Sequence, residues 1–204
     1  MTQTPLKTTT PDQHIVVPGT WEQFKSIQKG FEHSRGVRLF YYDGTIELIM
    51  PGRDHEIFGH IIGYLVTTYL IHQGIFFQPT GAMTQEQEGT ASAQADQSYC
   101  LGCVKPIPDL SIEVVFTSGG ANKLRRYQAL GVAEVWFWQD GVLKLYHLEA
   151  DGYKQIEPEG KRSYRSRLED LKNLDLDLLQ RCILIGETDL GEAVRVFQQA
   201  MRDR

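Results

Sequence analysis

Cysteine is scarce: the 204-residue chain has three, Cys100, Cys103 and Cys182. An odd and small number argues against a disulfide framework. Cys100 and Cys103 form a lone C-x-x-C, without the further ligands a zinc site needs. They read as small residues in a tight turn. Long apolar runs are absent too. Nothing reaches the ~18 residues a membrane helix needs, and the first residues, Met1 to Lys7, lack the apolar stretch of a signal peptide. A cytoplasmic protein with no membrane association is the expectation. There is also no basic excess. Lys and Arg number 21 against 26 Asp and Glu, a net charge of -5. That excludes a protein that coats nucleic acid without regard to sequence, but not an enzyme with a local basic groove.

What is present is ordinary for a folded domain: 41% hydrophobic and 23% charged residues. A chain of this length buries roughly 70% of its unfolded surface, enough for a core without staples. The first 13 residues are polar and read as an arm, followed by a short strand at 14–17. Thr20 and Gln23 have the spacing of a capping box, and Trp21, Phe24, Ile27 and Phe31 follow at helical spacing. A hairpin is expected over 37–50 around Asp43-Gly44, then an apolar helix over 55–72. A strand at 75–79 and a loop-like stretch at 80–94 precede two strands at 95–99 and 109–116. A helix at 121–130, strands at 132–138 and 142–148 with a third after Gly152, and a closing helix at 188–203 complete an α+β domain around one mixed sheet. The tail at 168–179 alternates Leu and Asp. The segment 154–167 has a local excess of three positive charges, with Lys161 and Arg162 at its centre.

The stretch from Asp96 to Lys123 carries the chemistry. A hairpin centred between Val104 and Lys105 pairs residues whose numbers sum to 209, which sets Asp96 opposite Glu113. Carboxylates facing each other repel, and a divalent cation between them is one physical answer. Residues i and i+2 share a strand face, so Asp109, Ser111, Glu113 and Val115 are expected on one side. Leu110, Ile112, Val114 and Phe116 form the core side. Lys123 opens the next helix with Tyr127 one turn on, within reach of the same patch. Without a ligand, these two are an exposed lysine and a packed tyrosine.

The run Ala95-Asp96, then Pro108-Asp109-Leu-Ser-Ile-Glu113, then Lys123 with Tyr127, then Gly131-Val-Ala-Glu-Val-Trp136, resembles the Uma-two family. Gly44-Thr-Ile-Glu47, Pro51 and His55 lie upstream in the same pattern. These are restriction-endonuclease-like proteins of the PD-(D/E)XK nuclease superfamily. The resemblance implies a restriction-endonuclease-like fold, a mixed central sheet flanked by helices, over a single nuclease-like domain at 18–204. Residues 1–17 would be a flexible arm and short strand. It also implies Asp96, Glu113 and Lys123 as catalytic residues, with Mg²⁺ or Mn²⁺ held by Asp96, Glu113 and the carbonyl of Val114. DNA is the implied substrate and phosphodiester hydrolysis the reaction. Two positions depart from the superfamily pattern: Ala95 replaces its proline, and Val115 replaces the lysine two residues after the glutamate. The family resemblance transfers that lysine's role to Lys123.

Glu47, His55 and Asp109 are candidate supporting residues. Glu47 is equally a solvent-side strand residue, and a lone histidine such as His55 is more often a structural hydrogen-bonder than a base. The competing reading is a non-catalytic nuclease-like fold that binds nucleic acid or protein. A third is a structural homodimer built on the sheet edge and on Trp136 and Trp138, which otherwise are core.

Overall fold

The computed structural model describes residues 11–34, 36–116, 120–157 and 164–203. The first ten residues of the expected arm, the bridge at 117–119 and the basic pair Lys161 and Arg162 lie outside the described residues.

Local chemistry builds the first layer. The Thr20 hydroxyl accepts from the Gln23 amide, and the Gln23 side chain accepts in return from the Thr20 amide, at 3.3 and 2.8 Å. This capping box starts α1 (Trp21–Gly30). Helix α1 buries Trp21 and Phe24 against Leu39 and Tyr41. A hairpin follows, with β2 (Arg38–Tyr42) and β3 (Thr45–Met50) joined by Asp43 and Gly44 at φ 46° and 70°. Positive φ at both central residues is what a primed two-residue turn requires. Strand β1 (Gln13–Pro18) pairs antiparallel with β3 and is exposed along its length. Strands β5 (Gln85–Gln87) and β6 (Ala91–Ala93) complete a five-stranded antiparallel sheet, ordered β1-β3-β2-β6-β5.

The second sheet has the order β11-β10-β9-β8-β7-β4. Its strands are β4 (Phe77–Pro79), β7 (Gln97–Leu101), β8 (Leu110–Val115), β9 (Glu134–Gln139), β10 (Val142–Glu149) and β11 (Gly152–Gln155). Helix α3 (Gly120–Leu130) connects β8 to β9, which run parallel, so this sheet is mixed. One mixed sheet was expected and two sheets are found, because the 80–94 stretch contributes two short strands that extend the first hairpin. The class is α+β.

Helix α2 (Arg53–His72) packs on one face of the mixed sheet with α4 (Leu176–Gly186) and α5 (Leu190–Arg202). Ile62, Leu65, Ile112, Val114, Trp136 and Phe197 fill that interior. A second cluster, with Phe40, Val115, Tyr127, Val135 and Phe137, fills the space on the α3 side. Strand β8 is therefore buried on both faces, as a strand beside a parallel crossover should be.

Three expectations are corrected. Helix α4 is absent from the sequence reading, because the Leu-Asp alternation before it imitates a strand. Asp175 caps it by accepting the Leu178 amide at 2.9 Å. Trp136 and Trp138 are 0% and 2% exposed on an interior strand, so they serve the core and present no surface to a second copy. Phe116 is 53% exposed and leaves the core face assigned to it.

Candidate active site

Strand register brings the two carboxylates together. Gln97, Ser98 and Tyr99 stand opposite Ile112, Ser111 and Leu110, so paired numbers sum to 209 as expected. The next pair in that register is Asp96 and Glu113, and the Asp96 amide donates to the Ile112 carbonyl at 3.0 Å. Their side chains, however, find different partners. Asp96 sits at the bend where β7 begins. Its carboxylate accepts the Val114 amide at 2.6 Å, and its Cβ is 3.5 Å from where a Cβ on Gly59 of α2 would lie. Glu113 meets α3: Lys123 Nζ donates to its Oε2 at 3.1 Å, and the Tyr127 hydroxyl donates to its Oε1. The expected repulsion between facing carboxylates is thus relieved differently, each being paired with its own cation, Arg38 for Asp96 and Lys123 for Glu113.

All three expected catalytic side chains are buried, Asp96 at 5%, Glu113 at 2% and Lys123 at 6% exposure. Burial by itself would push the Glu113 carboxyl up. The charges of Lys123 and Arg126 and the Tyr127 hydroxyl outweigh it and hold Glu113 below the usual value. The Tyr127 phenol is pushed well above its usual value by burial and by Glu113, so it remains a hydrogen-bond donor.

His55, in the first turn of α2, lies between two carboxylates. Its Nε2 is 2.9 Å from Asp96, and its Nδ1 is 2.8 Å from Asp12 Oδ2. Burial holds its imidazole below the usual value, against the opposing pull of Asp12. Asp12 also accepts the Gly52 amide at 2.7 Å, which fixes the approach to α2. Arg38 joins the cluster through Asp96 and through Glu56 at 2.8 Å.

Glu47 lies on β3 with Ile46 and Leu48 buried on its other side. It accepts from Arg126 Nη1 at 2.8 Å and contacts His14 Nε2 at 2.6 Å. Asp109, the third supporting candidate, is placed elsewhere. It pairs with Lys105 at 2.6 Å and accepts the Leu101 amide at 2.8 Å, bracing the β7–β8 connection. Glu113 lies four positions further along the chain, roughly 13 Å in extended conformation, so a shared face did not mean a shared site. Ser111, on that same face, is engaged by Gln85 at 3.1 Å.

Asp12, His14, Arg38 and Arg126 were not singled out in the sequence. The only signal was the Arg-Arg pair between Lys123 and Tyr127. The others act through tertiary contacts that no local spacing encodes. His14, Glu47, Lys123, Arg125 and Arg126 line a cleft of about 370 Å³ between the β1–β3 side and α3.

The donors available to a metal are oxygens. Among the described residues, no group of three or more His, Cys, Asp or Glu side chains is placed to hold an ion. Asp96 and Glu113, the pair expected to hold a metal, are two carboxylates each already engaged within the protein, Asp96 by Arg38 and His55 and Glu113 by Lys123 and Tyr127. Such a set fits a hard divalent cation that keeps several of its waters, as Mg²⁺ does. It does not fit a soft or dehydrated ion.

No helix among the described residues is long and apolar enough to cross a membrane. No curated protein matches the chain. The sequence model of the Uma2 family, described as "Putative restriction endonuclease", matches residues 21–178. That span takes in the strands and helices that carry Asp96, Glu113 and Lys123, and the chain belongs to the Uma2 family.

Proposed function

We propose that the protein is a divalent-metal-dependent endonuclease that hydrolyses phosphodiester bonds of DNA. The observation that carries this reading is the 3.1 Å contact of Lys123 with Glu113. It supplies a lysine beside the glutamate although Val115 occupies the position the superfamily pattern gives to lysine. Asp96, Glu113 and the carbonyl of Val114 would hold Mg²⁺ or Mn²⁺. Such an ion, when bound, polarises a phosphoryl oxygen and lowers the pKa of a bound water.

The chain's own residues prepare the site. Lys123 brings a positive charge to where negative charge grows as the phosphorus is attacked. Tyr127 holds one oxygen of Glu113 and thereby fixes how its carboxylate is turned. His55 does the same for Asp96, and is itself fixed by Asp12. Burial of these groups keeps the local dielectric low, which strengthens each interaction.

A non-catalytic reading draws on one observation, the Arg38 guanidinium already paired with Asp96. The two are separated by incubating supercoiled plasmid with Mg²⁺ or Mn²⁺ and comparing wild type with Glu113→Gln. Nicking or linearisation by the wild type alone supports hydrolysis. Equal traces from both proteins would assign the cleavage to a contaminant and leave the binding role.

A further inference from the structure

Arg126 is 3% exposed, and its guanidinium lies 4.0 Å from the centroid of the Phe40 ring. Its Nη1 is used by Glu47, while Nε and Nη2 are buried without a hydrogen-bond partner. A guanidinium presents its donors as a planar fork that matches two oxygens of a phosphate or carboxylate. Leaving such donors buried and unpaired is costly, so the half-used fork is an anomaly, one that an anion in the cleft would relieve if the guanidinium turned toward it. The group it belongs to lines the cleft with other cationic and polar side chains, and of the two carboxylates that also line it, Asp43 and Glu47, Glu47 is engaged by Arg126 and His14. Arg125 and Asn122 are exposed at its mouth, His14 faces it from β1, and the first turn of α3 supplies Asn122 and Lys123. The first turn of an eleven-residue helix also adds the positive end of its dipole. Among the described residues Arg125 has no ion-pair partner.

We infer that this cleft binds a phosphate of the nucleic-acid backbone other than the one attacked, through Arg126 at its base and Arg125 and Asn122 at its mouth. Lys123 marks the boundary, since it lines the cleft and also reaches Glu113. The cleft phosphate sets the register of the strand and the reacting phosphate lies on the Glu113 side. His14 comes from β1, ahead of the family match that begins at residue 21. This assignment rests on the nucleic-acid-cleaving reading above, but concerns binding rather than hydrolysis.

The test is binding of a short fluorescein-labelled DNA duplex in EDTA, measured by anisotropy over a range of salt concentrations. The proteins are wild type, Arg125→Ala, the paired variant Arg126→Gln/Glu47→Gln, and Arg195→Ala, which removes an exposed cation on α5 outside the cleft. The paired variant removes both members of the Arg126–Glu47 ion pair, but it also takes Glu47 from His14, so its melting temperature is read alongside. Each lost phosphate contact should reduce the steepness of log K against log salt by about 0.9. The expected result is such a reduction for Arg125→Ala and for the paired variant, with Arg195→Ala unchanged. Unchanged slopes in folded Arg125→Ala and paired variants overturn the cleft assignment, as does a wild type that does not bind. Inorganic phosphate is run as a second probe. If millimolar phosphate raises the melting temperature of wild type and not of the paired variant while the DNA slopes stay equal, the cleft takes a free anion and the backbone assignment fails. Plasmid nicking by the wild type is scored separately. Slopes that fall without nicking keep the phosphate site and discard the hydrolytic reading, whereas nicking with unchanged slopes does the reverse.

Discussion

Asp12 holds His55 by Oδ2 at 2.8 Å and the Gly52 amide by Oδ1 at 2.7 Å. One carboxylate, from a segment ahead of the residues matched by the family, thereby fixes the start of α2 and the imidazole that supports Asp96. Asp12→Ala removes both bonds and strands a buried imidazole N–H. An unsatisfied buried donor costs about 1–3 kcal/mol. At roughly 2–4 °C per kcal/mol for a chain of this size, the melting temperature should fall by several degrees. Asp12→Asn, whose single side-chain oxygen still accepts from one of the two donors, should fall less. Equal melting temperatures for Asp12→Ala and wild type would show that the residue is a passive part of the arm.

Glu113 and Lys123 make a buried ion pair, so removing one member leaves the other uncompensated. Lys123→Met should cost about 3–5 kcal/mol, the range for breaking a buried pair. The pH dependence gives a sharper readout. In the wild type, burial raises the Glu113 pKa, but Lys123, Arg126 and Tyr127 together bring it below the usual value. A carboxyl whose folded pKa is depressed contributes stability above its unfolded pKa and loses it as pH falls through the folded one. Without Lys123 the folded pKa rises toward the unfolded value, so Glu113 contributes less stability at neutral pH and less is lost on acidification. Melting temperatures recorded from neutral to acidic pH should start lower for Lys123→Met but fall by less on acidification than those of the wild type. Superimposable acid limbs would mean that Lys123 does not govern the ionisation of Glu113.

The periodicities around the site were legible where a side chain's neighbours are set by its own strand or helix. The 209 register followed from turn position alone, whereas spacing alone favoured an exposed Lys123 and the family resemblance set it beside Glu113. Asp96 departed from the simple alternation because it occupies a bend, where its carboxylate can lie beside the Val114 amide. No sequence spacing signals Asp12, His14 or Arg38, since each reaches the site across a sheet or helix junction.

Helix α4 was hidden for a related reason: its cap, Asp175, belongs to a Leu-Asp alternation that mimics a strand. The prediction for this element concerns packing. A Cβ on Gly186 would lie 2.7 Å from Ile61 Cγ2, within the core shared by α2 and α4. Gly186→Ala should therefore destabilise, because overpacking a dense interior costs about 1–3 kcal/mol, against a gain of at most about 1 kcal/mol in helix propensity. Gly186→Ala combined with Ile61→Val, which shortens the opposing side chain, should recover part of the loss in a urea melt. No recovery would place the strain in the backbone rather than in the Ile61 contact.

Divalent metal gives the last prediction. A ligand that binds only the folded state stabilises by mass action, about 2.7 kcal/mol at a hundredfold excess over its dissociation constant. A two-carboxylate site that keeps its waters is weak, so millimolar Mg²⁺ or Mn²⁺ is the appropriate range. The wild type should melt higher with metal, whereas Asp96→Ala and Glu113→Ala should not respond. The metal-free baselines carry information of their own. Two unpaired carboxylates would repel, and either alanine variant would then be more stable than the wild type. With Arg38 on Asp96 and Lys123 on Glu113, each alanine variant strands a cation instead, so both should be less stable. Arg38→Gln separates competition from support. If the guanidinium occupies a coordination position on Asp96, its removal should enlarge the metal-induced shift while lowering the metal-free melting temperature. A shift of the same size in wild type, Asp96→Ala and Glu113→Ala would place the ion elsewhere on the protein and remove metal-assisted hydrolysis from this site.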